Sequence, residues 1–154
     1  MKDGGTRFMR FLDNDLIQLN VKVNSAEEAI TEAGNILLKE GVIESTYIEA
    51  MIQAYKKNGP YFVLAPHIAI PHARPEDGVN EASVSLVRLE QPIEFGHDSN
   101  DPVQMVFGLG ASSNEEHLTL LRKLTTLLND PERVDVLKNS KDINEIQKTI
   151  EMGM

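Results

Sequence analysis

A block rich in Val, Ile, Phe, Gly and Pro, from Tyr61 to Gly110, most constrains how this 154-residue chain can fold. The block predicts strands at about 67–71, 83–89, 92–95 and 102–109, with turns at 76–78 and 96–101. Segments with helical periodicity lie on both sides of it. A strand-rich centre between helical segments predicts one α/β domain, in which a mixed parallel and antiparallel central sheet is flanked by helices on both sides.

The flanking segments supply the helices and one more strand. Alternation from Leu16 to Val23 predicts a strand that carries all its apolar side chains on one face, namely Ile17, Leu19, Val21 and Val23. Helices are predicted from Ser25 to Gly41 (with a capping box completed by Glu28), from Ser45 to 58–60, and over 114–129, 131–139 and 142–151. Residues 1–15 are expected to form a polar lead-in with one apolar patch, made of Phe8, Met9, Phe11 and Leu12. The whole chain, 1–154, is thus predicted to be a single domain.

Charge and missing residue types exclude several function classes. A net charge of −9 makes nucleic acid a poor partner, because phosphate backbones require clustered Lys and Arg. The absence of Cys excludes thiolate metal sites and a cysteine nucleophile. The four histidines lack metal-ligand spacing, so we expect neither a metal nor a cofactor. No signal sequence or membrane-length apolar run is visible, which predicts a cytoplasmic protein without direct membrane insertion.

His72 is the first candidate for nucleophilic chemistry. It lies in Ala69-Ile70-Pro71-His72-Ala73-Arg74-Pro75, where two prolines restrict the backbone on either side of the imidazole. The nearby guanidinium of Arg74 is well suited to a phosphate or a carboxylate. The same residues also fit a histidine that has no catalytic role and lies in a loop beside a solvated arginine.

His117 is the second candidate, because it shares a predicted helix face with apolar residues at i+4, i+7 and i+11. Its helix follows a glycine-rich strand exit, and free N–H groups at such a helix start favour an anion. The same pattern fits a core histidine bonded to a backbone carbonyl. His67 would face away from His72 in a regular strand, and His97 lies in an exposed turn, so both are weaker candidates.

Three segments together resemble the EIIA components of the bacterial sugar phosphotransferase system, mannitol/fructose class. They are Ala69-Ile70-Pro71-His72, the strand Met105–Gly110 and Asn114-Glu115-Glu116-His117-Leu118, and the likeness extends from Leu16 to about Ile150. The longer string from Ala65 to Pro75 is most similar to the ascorbate-type branch, in which Ala-Arg follows the histidine.

The resemblance implies a phosphotransferase of a sugar uptake system. His72 would take a phosphoryl group from the phosphohistidine of HPr and pass it to a cysteine of EIIB, with the membrane component EIIC downstream. His117 would hydrogen-bond the phosphoryl group or orient His72. Mannitol-type relatives have an arginine near the position of Gln53, so Arg74 would supply that charge in this chain. The ascorbate-like string favours ascorbate or a related sugar acid or pentitol.

Two other functions also fit. One is a regulatory sensor of the nitrogen-regulatory EIIA kind, which reports its phosphorylation state to a partner. The other is a metal-dependent hydrolase that uses the histidines. On the phosphotransfer hypothesis, a phosphoryl group adds about 1.5–2 negative charges to an acidic protein. We therefore expect a neutral or positive pocket formed by Arg74, His117 and the helix start after Gly110, with an apolar rim for docking HPr and EIIB.

Overall fold

The computed structural model describes residues 9–153, which contain five strands and five helices. The strands are β1 (Arg10–Phe11), β2 (Ile17–Val21), β3 (Ile68–Ala69), β4 (Ser83–Ile93) and β5 (Val103–Gly110). The helices are α1 (Ala26–Lys39), α2 (Ser45–Asn58), α3 (Asn114–Leu128), α4 (Pro131–Asn139) and α5 (Ile143–Met152). None of these helices has both the length and the hydropathy that crossing a membrane requires.

The sheet is mixed, as predicted. Strand β4 pairs antiparallel with β5 along one edge, and β1 and β2 both run parallel to it along the other edge. Strand β3 pairs parallel with the far edge of β5. The chain that leaves β3 therefore passes beside the end of β5, and this segment contains His72.

Helices cover both faces of the sheet, which confirms the predicted α/β architecture. Side chains alternate across β4 and β5, so Val87 and Val106 pack with α1 and α2 while Leu86 and Phe107 pack with α3, α4 and α5. Ser25 caps α1 as predicted by accepting a hydrogen bond from the Glu28 N–H at 3.1 Å. The Glu28 carboxylate completes the helix start differently, because it accepts from the N–H of Asn24.

Residues 10–15, predicted to belong to the polar lead-in, take part in the sheet and the core. Strand β1 lies along the free edge of β4, and the N–H of Leu12 donates to the Val84 carbonyl at 3.0 Å. Leu12 is fully buried. An edge strand two residues long gains its stability from this pairing and this burial, which local periodicity does not reveal. The predicted apolar residue Phe8, with the rest of 1–8, lies outside the described residues.

The apolar residues of β2 do not share one face, contrary to the prediction. Asn20 has a φ of 60°, and the pairing of β2 with β4 shifts register around it. Ile17 and Leu19 therefore pack with α3–α5, whereas Val21 and Val23 pack with α1 and α2. Asparagine tolerates the left-handed region better than most residues. The conformation of Asn20 therefore changes the face of the sheet on which the following apolar side chains lie.

Two further strand predictions need correction. The predicted strands 83–89 and 92–95 form one strand, because β4 continues through Pro92. Pro92 lies where the pairing with β5 is irregular and beyond the last β2 partner, Leu89, so its missing N–H removes no ladder bond. Strand β3 is shorter than the predicted 67–71, since His67 has a φ of 70° and leaves the extended region.

Candidate functional site

The imidazole of His72 has a fixed orientation and one free nitrogen. Its Nδ1 lies 2.8 Å from the carbonyl oxygen of Ile70. A carbonyl oxygen only accepts hydrogen bonds, so Nδ1 carries the proton and Nε2 keeps its lone pair. The ring of Tyr61 meets the imidazole edge-on, with 5.9 Å between centroids. Nε2 is therefore the atom of His72 that can act as a nucleophile.

A buried tyrosine of α2 holds the backbone next to His72. The hydroxyl of Tyr47 accepts from the N–H of Ala73 at 2.9 Å and donates to the carbonyl oxygen of Leu109 at 2.7 Å. The N–H of Leu109 in turn donates to the carbonyl oxygen of Pro71 at 3.1 Å. Burial raises the pKa of Tyr47, so its hydroxyl keeps its proton. Both neighbours of His72 are thus bonded to the rigid parts of the domain.

His117 lies against His72. It occupies the first turn of α3, and the two rings are 5.0 Å apart between centroids, inclined at 57°. Burial lowers the pKa of His117, and proximity to His72 lowers it further. The ring is therefore neutral near pH 7 and carries one N–H donor. The two histidines singled out from the sequence thus share one site.

Side chains at the start of α3 bond part of the local backbone. Ser113 accepts from the N–H of Glu116 at 3.1 Å, and the Glu116 carboxylate accepts from both the N–H and the hydroxyl of Ser112. The carboxylate also places a negative charge where the sequence predicted a bound anion. This helix start is therefore a poor contributor to a cationic pocket, which corrects that part of the prediction.

Arg74 is near His72 in sequence, but its guanidinium is paired with two acidic neighbours. It precedes the short 3-10 turn Pro75–Asp77, and its guanidinium pairs with Asp77 at 3.4 Å and with Glu76 at 3.6 Å. The hydrogen bond to Asp77 raises the pKa of Arg74, with Coulombic attraction adding to it. Its side chain is 73% exposed. The guanidinium of Arg74 is therefore less available to a bound anion, because two carboxylates already pair with it.

An open groove of about 650 Å³ adjoins His72. One wall is α2, whose polar residues there are Gln53, Lys57 and Asn58 and whose alanines leave the space open. The other wall carries Tyr61, Arg74 and Asp77. Residue-by-residue analysis of the sequence missed Lys57. The i, i+4 spacing from Gln53 is the signal that could have found it, since it places both on one helix face.

Two exposed apolar side chains lie beside the histidines. Tyr61, which contacts His72, is 43% exposed, and Leu118, which follows His117, is 57% exposed. Large apolar side chains left in water next to a site are typical of a surface that docks proteins. Tyr61 and Leu118 are therefore candidates for the apolar rim that the sequence predicted, and the rim itself stays a prediction.

The other two histidines lie apart from the site. The Nδ1 of His67 donates to the carbonyl oxygen of Pro102 at 2.7 Å. The Nδ1 of His97 accepts from the backbone N–H groups of Ser99 and Asn100, which stabilises the turn at 96–101. Within residues 9–153 no three side chains of His, Asp or Glu come close enough together to hold a metal ion.

Comparison with known proteins identifies the relatives of this chain. Residues 10–152 match the family described as "Phosphoenolpyruvate-dependent sugar phosphotransferase system, EIIA 2". The "Ascorbate-specific PTS system EIIA component" of Escherichia coli K12 is 34% identical over 140 residues, which cover 90% of this chain and 91% of that protein.

Solved structures show the same fold. The enzyme IIA of mannitol from Escherichia coli, in its complex with phosphorylated enzyme IIB of mannitol, superposes with a TM-score of 0.81 at 30% identity. That match covers 92% of this chain and 98% of the other. The cryptic mannitol-specific enzyme IIA CmtB from Escherichia coli also has a TM-score of 0.81, at 31% identity, covering 92% and 95% of the two chains.

Proposed function

This chain belongs to the EIIA 2 family of the phosphoenolpyruvate-dependent sugar phosphotransferase system, and from that premise we propose that His72 is its phosphoryl carrier. Members of the family are phosphotransferases that move phosphoryl groups between proteins through a phosphohistidine. The observation that carries the proposal is the bond from His72 Nδ1 to the Ile70 carbonyl, because it leaves Nε2 free. In this proposal the donor is phosphorylated HPr and the acceptor is a cysteine of EIIB.

The geometry supports an in-line transfer to Nε2. The lone pair of Nε2 attacks phosphorus, the P–N bond of the donor phosphohistidine breaks, and the donor nitrogen keeps the bonding electron pair. His72 Nδ1 keeps its proton, and its bond to Ile70 strengthens as the ring becomes positive. Phosphoryl transfer depends mainly on positioning and charge stabilisation. The anchored backbone on both sides of His72 supports the positioning.

His117 is proposed to hydrogen-bond the phosphoryl group. Its lowered pKa supports this role, since a neutral ring does not repel the imidazolium that phosphorylated His72 becomes. The 5.0 Å separation of the two ring centroids supports this role, because it keeps His117 close to a group carried by His72. Arg74 is proposed as a minor contributor of charge, because Asp77 and Glu76 already pair with it.

The biological setting is proposed from the relatives. The 34% identity to an ascorbate-specific component favours ascorbate or a related sugar as the transported substrate, with EIIC as the membrane component. EIIA touches proteins rather than sugar in this scheme, so the exposed Tyr61 and Leu118 would contact HPr and EIIB in turn. We further propose that residues 1–154 act as one cytoplasmic domain, without nucleic acid or membrane insertion.

The test uses the full chain with phosphorylated HPr and then EIIB. Intact-mass spectrometry at neutral pH should show one acid-labile phosphate on the wild type and none on His72→Ala. His117→Gln should still accept the phosphate, but more slowly. His67→Ala is the matched control, because that ring lies outside the site, and it should behave as the wild type.

Two outcomes decide between the functions. A His72→Ala variant that still gains the phosphate would refute the carrier assignment. Onward transfer from the wild type to an EIIB cysteine supports the transport role, whereas a stable phosphoprotein that no EIIB discharges supports the regulatory alternative.

A further inference from the structure

Arg74 and the two carboxylates that pair with it carry a net negative charge, which a phosphoryl group on His72 would increase. Arg74 together with its two partners, Glu76 and Asp77, carries a net charge of −1. Asp77 itself lines the groove beside His72. A phosphoryl group brings about 1.5–2 further negative charges to this place. Since Arg74 is already shared between two carboxylates, a second cation is needed to make phosphorylated His72 favourable.

Lys57 is the groove residue that meets this need. It lies on the wall formed by α2, one helical turn after Gln53, with the small side chains of Ala50 and Ala54 beside it. Within residues 9–153 no carboxylate pairs with it. Its neighbour Lys56 lies on another face of the helix and pairs with Glu27 at 3.9 Å. The two consecutive lysines therefore have different surroundings.

The position of Lys57 also explains how a cation can lie in the groove before any phosphoryl group arrives. Lys57 belongs to the last turn of α2, where the helix dipole places a partial negative charge. The unphosphorylated protein thus holds the ammonium group without a carboxylate that the phosphoryl group would have to displace. A lysine side chain is also long and flexible enough to follow an incoming group.

We propose that Lys57 contacts the phosphoryl oxygens on His72 and supplies the main positive charge of the site, a role that the sequence suggested for Arg74. This inference rests on the proposed function of His72 as the phosphoryl carrier. Lys57 exchanges no proton in the step: the P–N bond of the donor is replaced by the bond to Nε2, and the ammonium stabilises the oxygens throughout.

The experiment measures the equilibrium between phosphorylated HPr and this protein. The full chain is mixed with HPr at defined ratios of phosphorylated to free HPr, and intact masses give the phosphorylated fraction. Lys57→Gln should lower the equilibrium constant for phosphorylation by about fivefold to tenfold at low salt, and high salt should shrink the difference. Lys57→Arg should restore most of it. Lys56→Gln is the matched control and should leave the constant unchanged.

The outcomes separate the inference from the proposed function. If the wild type is phosphorylated and Lys57→Gln matches Lys56→Gln, the inference is wrong while the carrier role stands. If Arg74→Gln causes the larger loss, the inference is also wrong and Arg74 has the main role. If the wild type takes up no phosphoryl group on His72, both the proposed function and the inference are overturned.

Discussion

Replacing Tyr47 with Phe should weaken both the fold and the chemistry at His72. The substitution keeps the buried ring and removes only the hydroxyl, which bonds the N–H of Ala73 and the carbonyl of Leu109. A buried polar group that loses its partner costs about 1–3 kcal/mol, and here two groups lose one. We expect the free energy of unfolding to fall by about 2–6 kcal/mol, which in a chain of this size lowers Tm by about 4–24 °C.

Tyr55→Phe is the matched control. Its hydroxyl makes a single bond, to the carbonyl oxygen of Phe95 at 2.7 Å, from a half-buried position that does not touch the His72 loop. That variant should lose about 1 kcal/mol in urea unfolding. Its rate of phosphorylation by HPr should equal that of the wild type.

The rate of phosphorylation distinguishes positioning from stability alone. Small displacements of a reacting group cost large factors in rate, so Tyr47→Phe should be phosphorylated about tenfold more slowly at a temperature where it is fully folded. Equal stability losses in the two variants, together with equal rates, would refute the argument that Tyr47 holds the loop. A stability loss in Tyr47→Phe without a rate loss would refute the positioning role alone.

Two further predictions concern other buried groups. Ser83 and Ser85 lie fully buried on β4, but only Ser85 has a partner among the described residues, the Ala33 carbonyl at 2.9 Å. In urea unfolding, Ser85→Ala should therefore lower the free energy of unfolding by about 1–2 kcal/mol, whereas Ser83→Ala should leave it unchanged or raise it by up to about 1 kcal/mol. A larger loss in Ser83→Ala than in Ser85→Ala would contradict this reasoning. Because the pKa of His117 is lowered in the fold, the unfolded chain binds more protons as pH falls through about 6.5, so the free energy of unfolding should decrease on acidification. His117→Gln should reduce that decrease between pH 7.5 and 5.5, and an unchanged slope would exclude His117 as its source.

The parts of the fold that follow from local pattern could be predicted from the sequence. Helix α4 has the predicted bounds, Pro131–Asn139, because a proline at its first position and an aspartate cap define its start locally. The mixed sheet and its helical layers followed from hydrophobic periodicity. His72 and His117 each lie in a local motif of their own, but only the resemblance to EIIA components predicted that they share one site.

Contacts between distant segments could not be predicted in this way. Tyr47 meets Ala73 across 26 positions, and nothing in either neighbourhood indicates the bond. Arg88 is buried in β4, where a charged residue is unexpected, because it donates to the carbonyl of Leu137 in the last turn of α4. The kink at Asn20 likewise depends on which layer each half of β2 reaches. Such features are set by tertiary packing, which overrides local preference.

The bond between His72 Nδ1 and the Ile70 carbonyl has a kinetic consequence. With Nδ1 held, the imidazole cannot turn to present a second nitrogen elsewhere. On the proposal that His72 carries the phosphoryl group, that group would then arrive and depart through the same opening. Donor and acceptor proteins then compete for one surface, and each must dissociate before the other binds. The relay should follow ping-pong kinetics, and an excess of either spent partner should slow it by occupying that surface. Net flux should therefore peak at an intermediate concentration of partners.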